Sequence, residues 1–600
     1  MSNNEIIKYK VFLHDLSLHT FEIYLEIDFP DTSEQLVTLP AWIPGSYKIR
    51  EFAKNIIEIK AESDGKRVEL KKIDKQTWKV CNLKNKLIIF YKIYAWDHSV
   101  RAAHLDNNVG FFNGTSIFLQ VTGKENCKHI VEIFPLKDKK YISWRVATAM
   151  RTLDTKKYCF GKYFSENYDE LIDHPFLIGT FEVIKFKIFN CVHEIIINGK
   201  VNNLDKKRLS NDLKKICKEQ ISFFEPQKKI APIKRYLFLI QLTPNDYGGL
   251  EHRASSSLIC SRFDLPSIGN SELSKGYLNF LSLCSHEYFH TWNVKRIKPE
   301  KFITYDFSKE KYTKLLWIFE GFTSYYESIF LLRSGIISEK TYLKIISATI
   351  NNVYKRKGRF RQNLSESSFD AWTKFYLQDE NSQNSIISYY SKGSLVALYF
   401  DLIIRFKSVG KKSLDDIMRA LWIKYGKNFY KKNSFGTGVD ENEVLQIFEE
   451  STSLQLKSIF NMTINSTKDI PLKNIFSKFG LILKNSSFNN KITLNIETTN
   501  EYGIYKISKV FEGGVAHKAG LSSGDILVSI DNLQVKGDNL EILLGSYIKG
   551  QKITIHVFRN ELLMIFYADL NGNIEPSYNL SYSKNNKYKF LRNSWLHIYD

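Results

Sequence analysis

Six hundred residues are too many for one hydrophobic core, so about three or four domains are expected, each large enough to bury its own. Hydrophobic residues at 43% and aromatics at 14% indicate a globular chain and exclude long disorder. The formal charge of +21 could suit nucleic acid or an anionic membrane, but the lysines are spread along the whole chain among Asn, Ile and Tyr, and no nucleic-acid module is recognisable.

Taken from the N-terminus, MSNNEIIKYKVFLHD lacks a continuous apolar leader segment, and nowhere are there about eighteen consecutive apolar residues. The seven cysteines, Cys81, Cys127, Cys159, Cys191, Cys217, Cys260 and Cys284, are odd in number without a C-x-x-C pair, the pattern of scattered reduced thiols. A cytoplasmic location is expected, which makes the Asn113-Gly114-Thr115 sequon irrelevant to glycosylation.

Residues 1–180 read as a β-rich, sandwich-like domain. The runs KYKVFLHD, TFEIYLEIDF, VELKKI, KLIIFYKIYAW and HIVEIFPL alternate apolar and polar residues between turn signals. Two stretches break the alternation, Leu39 to Phe52 (LPAWIPGSYKIREF) and Trp96 to Ser116. Each reads either as a loop approaching a functional site or as a packed turn.

Beyond residue 180 come further strand-like runs, FEVIKFKIFN, HEIIING and RYLFLIQLTP, with a helix near Leu209 to Phe224. The segment YGGLEHRASSSLIC follows, and then an apolar helix from about Gly276 that carries HEYFH, with Pro299 closing it after Arg296 and Lys298. His286 and His290, four apart, emerge from one helix face within reach of a single metal ion. Glu287 lies off that face yet close enough to take a proton from metal-bound water. Trp292, Asn293 and Lys295 either shape a pocket or, for Trp292, join the core.

A catalytic zinc needs a third protein ligand, and the candidate is Glu320, in the second buried helix LLWIFEGFTSYYESIFLL that ends at Gly335. A carboxylate among Leu315, Trp317, Phe319 and Phe322 is costly unless a cation pairs with it, and the bland alternative is a salt bridge to Lys or Arg. Next come Tyr389, Tyr390 and an apolar helix from Leu395 to Ile404, with further helices to about Phe460.

These motifs resemble the gluzincin metallopeptidases, and the run HEYFHTWNVKRIKP, from His286 to Pro299, resembles their glycyl aminopeptidase family. The resemblance implies a multidomain α+β architecture. It comprises the N-terminal β-rich domain (1–180), a thermolysin-like, mostly helical catalytic domain (181–462), a PDZ domain (466–570) and a tail (571–600). It implies one Zn²⁺ per chain, held by His286, His290 and Glu320, with Glu287 as general base.

Gly248-Gly249-Leu250-Glu251-His252 resembles the family's G-x-M-E-N, so Glu251 is expected to hold the substrate's free amine while Gly248 and Gly249 admit its backbone. Tyr390-Ser391-Lys392-Gly393 resembles Y-x-K-G, whose tyrosine supports the oxyanion; the adjacent Tyr389 is the alternative donor. Val510 to Asn532 resembles a PDZ domain, although no G-L-G-F-like carboxylate loop is evident: Phe479-Gly480-Leu481 belongs to an earlier strand, and the region near Ile492 lacks glycine.

The expected activity is therefore a zinc aminopeptidase acting on peptides with a free, small first residue. The alternatives are a thermolysin-like endopeptidase, in which Glu251 has no amine role, and a PDZ-based peptide scaffold with a vestigial metal site.

Overall fold

The computed structural model describes residues 5–596 except 82, 432–435, 486–491, 537–538, 572–576 and 584–588. Two compact units form, Met1–Lys311 with Leu421–Val439, and Tyr312–Ala420 with Asp440–Asp600.

The first unit begins with the alternation the sequence announces. In Ile6–Asp15 the side chains of Ile7, Tyr9, Val11 and Leu13 are buried while those between them are half-buried or exposed. This strand pairs antiparallel with Thr20–Ile27 and parallel with Lys128–Phe134, at the centre of an eight-stranded sheet that also takes in Leu87–Tyr94 and Ile56–Ser63. Among the described residues the β-rich region also holds two four-stranded sheets. Glu34–Thr38 and Thr77–Cys81 are strands that the apolar patterning did not reveal.

A five-stranded sheet follows. Cys191–Asn198, Arg235–Thr243 and Ser255–Ser261 run parallel, and Phe181–Ile188 and the edge strand Gly248–Glu251 flank them antiparallel. A parallel pair needs a crossover, and the helix Lys206–Phe224 supplies the first one. Nearly every residue of Arg235–Thr243 is buried, as a parallel strand covered on both faces requires.

The helix Lys275–Phe289 packs on this sheet. Ser274 caps it by accepting from the Tyr277 amide at 3.1 Å. Tyr288 meets Tyr236 edge-on at 4.8 Å and its hydroxyl pairs with His193 Nε2 at 2.9 Å. Gln220, on the crossover helix, donates to the Ser285 carbonyl at 2.9 Å. The helix does not run on to Pro299: it ends at Phe289 with His290 as its C-cap, and residues 290–298 form buried turns.

In the second unit a π-helical turn, Trp317–Phe322, leads into the helix Thr323–Arg333. The helix Ser391–Lys407 crosses it where two glycines meet, since a Cβ on Gly393 would lie 2.9 Å from the Gly321 Cα. A six-stranded sheet over 496–569 carries two short helices, Val515–Ala519 and Leu540–Gly545, around its own core of Ile507, Val515, Leu527, Ile555 and Val557.

The unassigned tail is part of this unit. Tyr578–Tyr582 pairs with Leu481–Asn485, Trp595 is buried with its indole donating to the Tyr325 hydroxyl at 3.1 Å, and Arg405 donates to the Ser594 carbonyl at 2.7 Å. Residues 486–491, next to the Ile492 region where a carboxylate loop was considered, lie outside the described residues.

Gly393→Ala tests the glycine crossing. Helix propensity alone would gain at most about 1 kcal/mol. Forcing a methyl into backbone contact costs about 1–3 kcal/mol. A net loss of stability, read as a lower denaturant midpoint with unchanged slope, is the expected outcome.

Candidate active site

The edge strand Gly248–Glu251 and the helix Lys275–Phe289 bring three chemically capable side chains together. Glu251, Glu287 and His290 are all buried, and each offers a carboxylate oxygen or ring nitrogen within 4.8 Å of the others. His286 stands one helical turn before His290, their rings 4.7 Å apart at 80°.

His290 is oriented by its own chain. Its Nδ1 lies 2.6 Å from the Asn293 carbonyl, which can only accept, so Nδ1 carries the proton and Nε2 keeps its lone pair. Such a backbone partner fixes the tautomer of a metal-binding histidine. The turn that ends the helix at His290 is thus also what prepares the ring. Imidazole and carboxylate donors of this kind suit a divalent zinc-like ion.

Gly249 has a contact that the sequence did not announce. A Cβ there would fall 2.1 Å from Glu287 Oε1, so the missing side chain lets the Glu287 carboxylate lie against the strand. Gly248 faces only ordinary contacts, since a Cβ there would lie 3.7 Å from Ile259 and 3.8 Å from Arg101.

Both irregular stretches of the β-rich region reach this strand. Arg101, from the second stretch, donates to the Gly249 carbonyl at 3.4 Å. Gly45, from the first, stands with its Cβ position 2.5 Å from both carboxylate oxygens of Glu251. Neither residue stood out in the sequence, where each stretch reads as a loop or as a packed turn.

Behind Glu251 the basic residues of the HEYFHTWNVKRIKP run are buried. Lys295 pairs with Asp173 at 3.0 Å, and Arg253 pairs with Asp169 while its amide donates to Asp173 at 2.7 Å. Burial alone would raise the Asp173 pKa, but the Lys295 and Arg253 cations outweigh it and hold the carboxyl well below the usual range. Burial alone would likewise lower Lys295, but Asp173 and then Glu251 raise it.

Lys298 sits among the rings of Tyr305, Phe429 and Tyr430 at 5.2, 5.1 and 5.7 Å, and burial pushes its ammonium down to about 8. Burial also takes His252 down to about 3, so it is neutral near pH 7. Trp292 is core, stacked on Phe224 at 4.9 Å and 9°.

In the second unit Glu320 lies in the π-helical turn and is buried. Tyr389 is fully buried, and burial, followed by the Tyr376 phenol and the Glu320 carboxylate, holds its phenol well above the ordinary value. Tyr390 is half-buried, at the N-cap of Ser391–Lys407, with its hydroxyl 3.4 Å from that of Tyr376. Tyr376 belongs to no motif that the sequence displays.

Two buried carboxylates beside an oriented imidazole are groups that a peptide hydrolase can use, and the comparisons give the same class. One family model, the M61 peptidase N-terminal domain, matches residues 8–180, and another, M61 glycyl aminopeptidase, matches residues 279–396. The chain is similar to an aminopeptidase N family protein from Idiomarina loihiensis, whose crystal structure is known. Identity is 36%, with 98% of this chain and 100% of that one covered and a TM-score of 0.92.

The chain belongs to the M61 glycyl aminopeptidase family. An M1 zinc metallopeptidase from Deinococcus radiodurans aligns at 11% identity over 78% of this chain and 95% of that one, with a TM-score of 0.46. A mutant of the Deinococcus enzyme bound to a Tyr-Ser-Ala substrate gives 12%, 78%, 94% and 0.45. No curated protein matches the sequence.

Asp173→Asn should destabilise the protein by about 3–5 kcal/mol near pH 7, because it leaves buried cations short of a partner. Since Asp173 is held below its ordinary pKa, its contribution is present above the free-carboxyl value and lost as pH falls through the folded-state value. The difference in urea midpoint between native and variant is therefore flat from about pH 8 to about pH 5 and closes in stronger acid.

Proposed function

We propose that this M61 peptidase is a zinc-dependent aminopeptidase of the gluzincin type, with one zinc per chain, that removes the first residue of peptides and prefers glycine or another small residue. The convergence of Glu251, Glu287 and His290 within 4.8 Å carries the reading, because an aminopeptidase needs an amine anchor, a base and an oriented imidazole at one place and these residue types can serve as them. The residues that would hold the metal are His286, His290 and Glu320, and zinc bound by them supplies a Lewis-acid charge that acidifies water and polarises a carbonyl.

The chain's own groups supply the remaining chemistry. Glu287, fixed against Gly249, accepts the proton of the attacking water and returns it to the leaving amine. Glu251 Oε1 is buried and has no hydrogen-bond partner among the described residues, which suits it to accept from an incoming α-ammonium. An anion fixed there confines cleavage to the first peptide bond. Tyr390, the more accessible of the adjacent tyrosines, donates to the developing oxyanion with Tyr376 beside it. The preference for a small residue rests on family membership.

The division into 1–180, 181–462, 466–570 and 571–600 remains part of the proposal. The compact sheet over 496–569 supports a PDZ module, whose strand Ile496–Glu501 lies at a sheet edge where a peptide could add. Seven unpaired thiols support a cytoplasmic setting. Among the described residues no helix is long and apolar enough to cross a membrane.

The test is hydrolysis of glycyl-, alanyl- and leucyl-anilides and N-acetyl-glycyl-anilide, with metal content measured. Native protein should cleave only the free-amine compounds, the glycyl one best. Glu287→Gln should lose about 10²–10⁴-fold in kcat with about one zinc per chain retained. Cleavage of the acetylated compound would remove the role given to Glu251 and favour an endopeptidase.

A further inference from the structure

The turn at Ile43 to Ser46 belongs to the β-rich region, yet it is built as part of the amine site. Ile43 and Ser46 bridge across it, Ala41 donates to the Phe307 carbonyl at 2.8 Å, and the Trp42 indole donates to the Asp306 carbonyl at 3.0 Å. Tyr47 stacks on Phe302 at 5.9 Å. With Trp42 and Tyr47 both buried, the turn is held from both sides.

At its tip Gly45 has φ +94°, a left-handed conformation that favours glycine, and its absent Cβ leaves the space in which both Glu251 oxygens lie.

We propose that Gly45 is a positioning residue for substrate recognition. The turn seats the Glu251 carboxylate by backbone contact, and so sets where the substrate's ammonium binds. This rests on the amine role given to Glu251. Seating by contact leaves the carboxylate's acceptor positions to the substrate, consistent with Oε1 having no partner among the described residues. A β-rich region that reads as a separate domain then supplies one wall of the amine site.

A double-mutant cycle tests this. Gly45→Ala should raise KM for glycyl-anilide about tenfold or more, as expected for a displaced charge-assisted hydrogen bond, with a much smaller change in kcat. In a Glu251→Ala background, where the methyl has space, the same substitution should change KM less than about twofold.

Gly123→Ala is the control for backbone strain: Gly123 has φ +82° with nothing within 4 Å of its Cβ position, and its variant should leave KM unchanged. Gly45→Asn, which tolerates the left-handed region, keeps the test available if the alanine variant does not fold.

An equal KM increase in both backgrounds, or none in the native one, would overturn the positioning role. If Glu251→Ala itself left KM for free-amine substrates unaltered, the amine reading would fail and the proposal with it, an outcome distinct from failure at Gly45 alone.

Discussion

The site depends on keeping two carboxylates side by side away from water. Glu251 and Glu287 are buried with ligand atoms within 4.8 Å, a separation at which like charges repel strongly unless cations surround them. Part of the compensation comes from the chain. Lys295 is raised by Asp173 and then by Glu251 against the effect of its own burial, and Arg253 and Asp169 extend the network. Lys295 is thus buried beside acidic partners, although the sequence offers it as part of an ordinary basic helix end. Under the proposed function an approaching ammonium would complete the balance at Glu251, and substrate binding would then be coupled to electrostatics already built into the fold.

That requirement explains what could and could not be read from the sequence. The i, i+4 histidines and the intervening glutamate are local features, and local features survive in a linear reading. So do the alternating strands, because Ile6–Asp15 and Leu87–Tyr94 each bury one face of a sheet. The end of the histidine helix was not legible. TWNVKRIK has no periodicity to mark its turns, and the His290 to Asn293 hydrogen bond that accompanies them, though local, is a side-chain to backbone contact that no residue pattern signals. Pairing partners were hidden for the same reason: nothing in KYKVFLHD announces that it lies parallel to Lys128–Phe134.

The glycines were legible as turn and close-approach signals but not by their partners. Gly249 is expected to admit substrate, and its missing Cβ also makes room for Glu287. Gly45 reads as a turn residue, and its meeting with Glu251 joins segments remote in sequence. Gly393 sits in a motif chosen for its tyrosine, yet its closest approach is to Gly321, beside Glu320. In the second unit this contact lets the helix Ser391–Lys407 cross against the π-helical turn, a geometry often found at functional sites.

These three positions use one device. A carboxylate can be located by hydrogen bonds, but each bond occupies a lone pair and competes with the group the carboxylate must meet. Packing it, or the turn that carries it, against backbone that lacks a Cβ adds a steric restriction on its position. At Glu251 this leaves Oε1 without a hydrogen-bond partner among the described residues. The cost is intolerance, since even one methyl at Gly45 or Gly249 would overlap a carboxylate, at 2.5 and 2.1 Å. Precision at the site thus depends on positions where only glycine fits, and those positions come from the β-rich region and the sheet edge as much as from the helix that carries the recognisable motif.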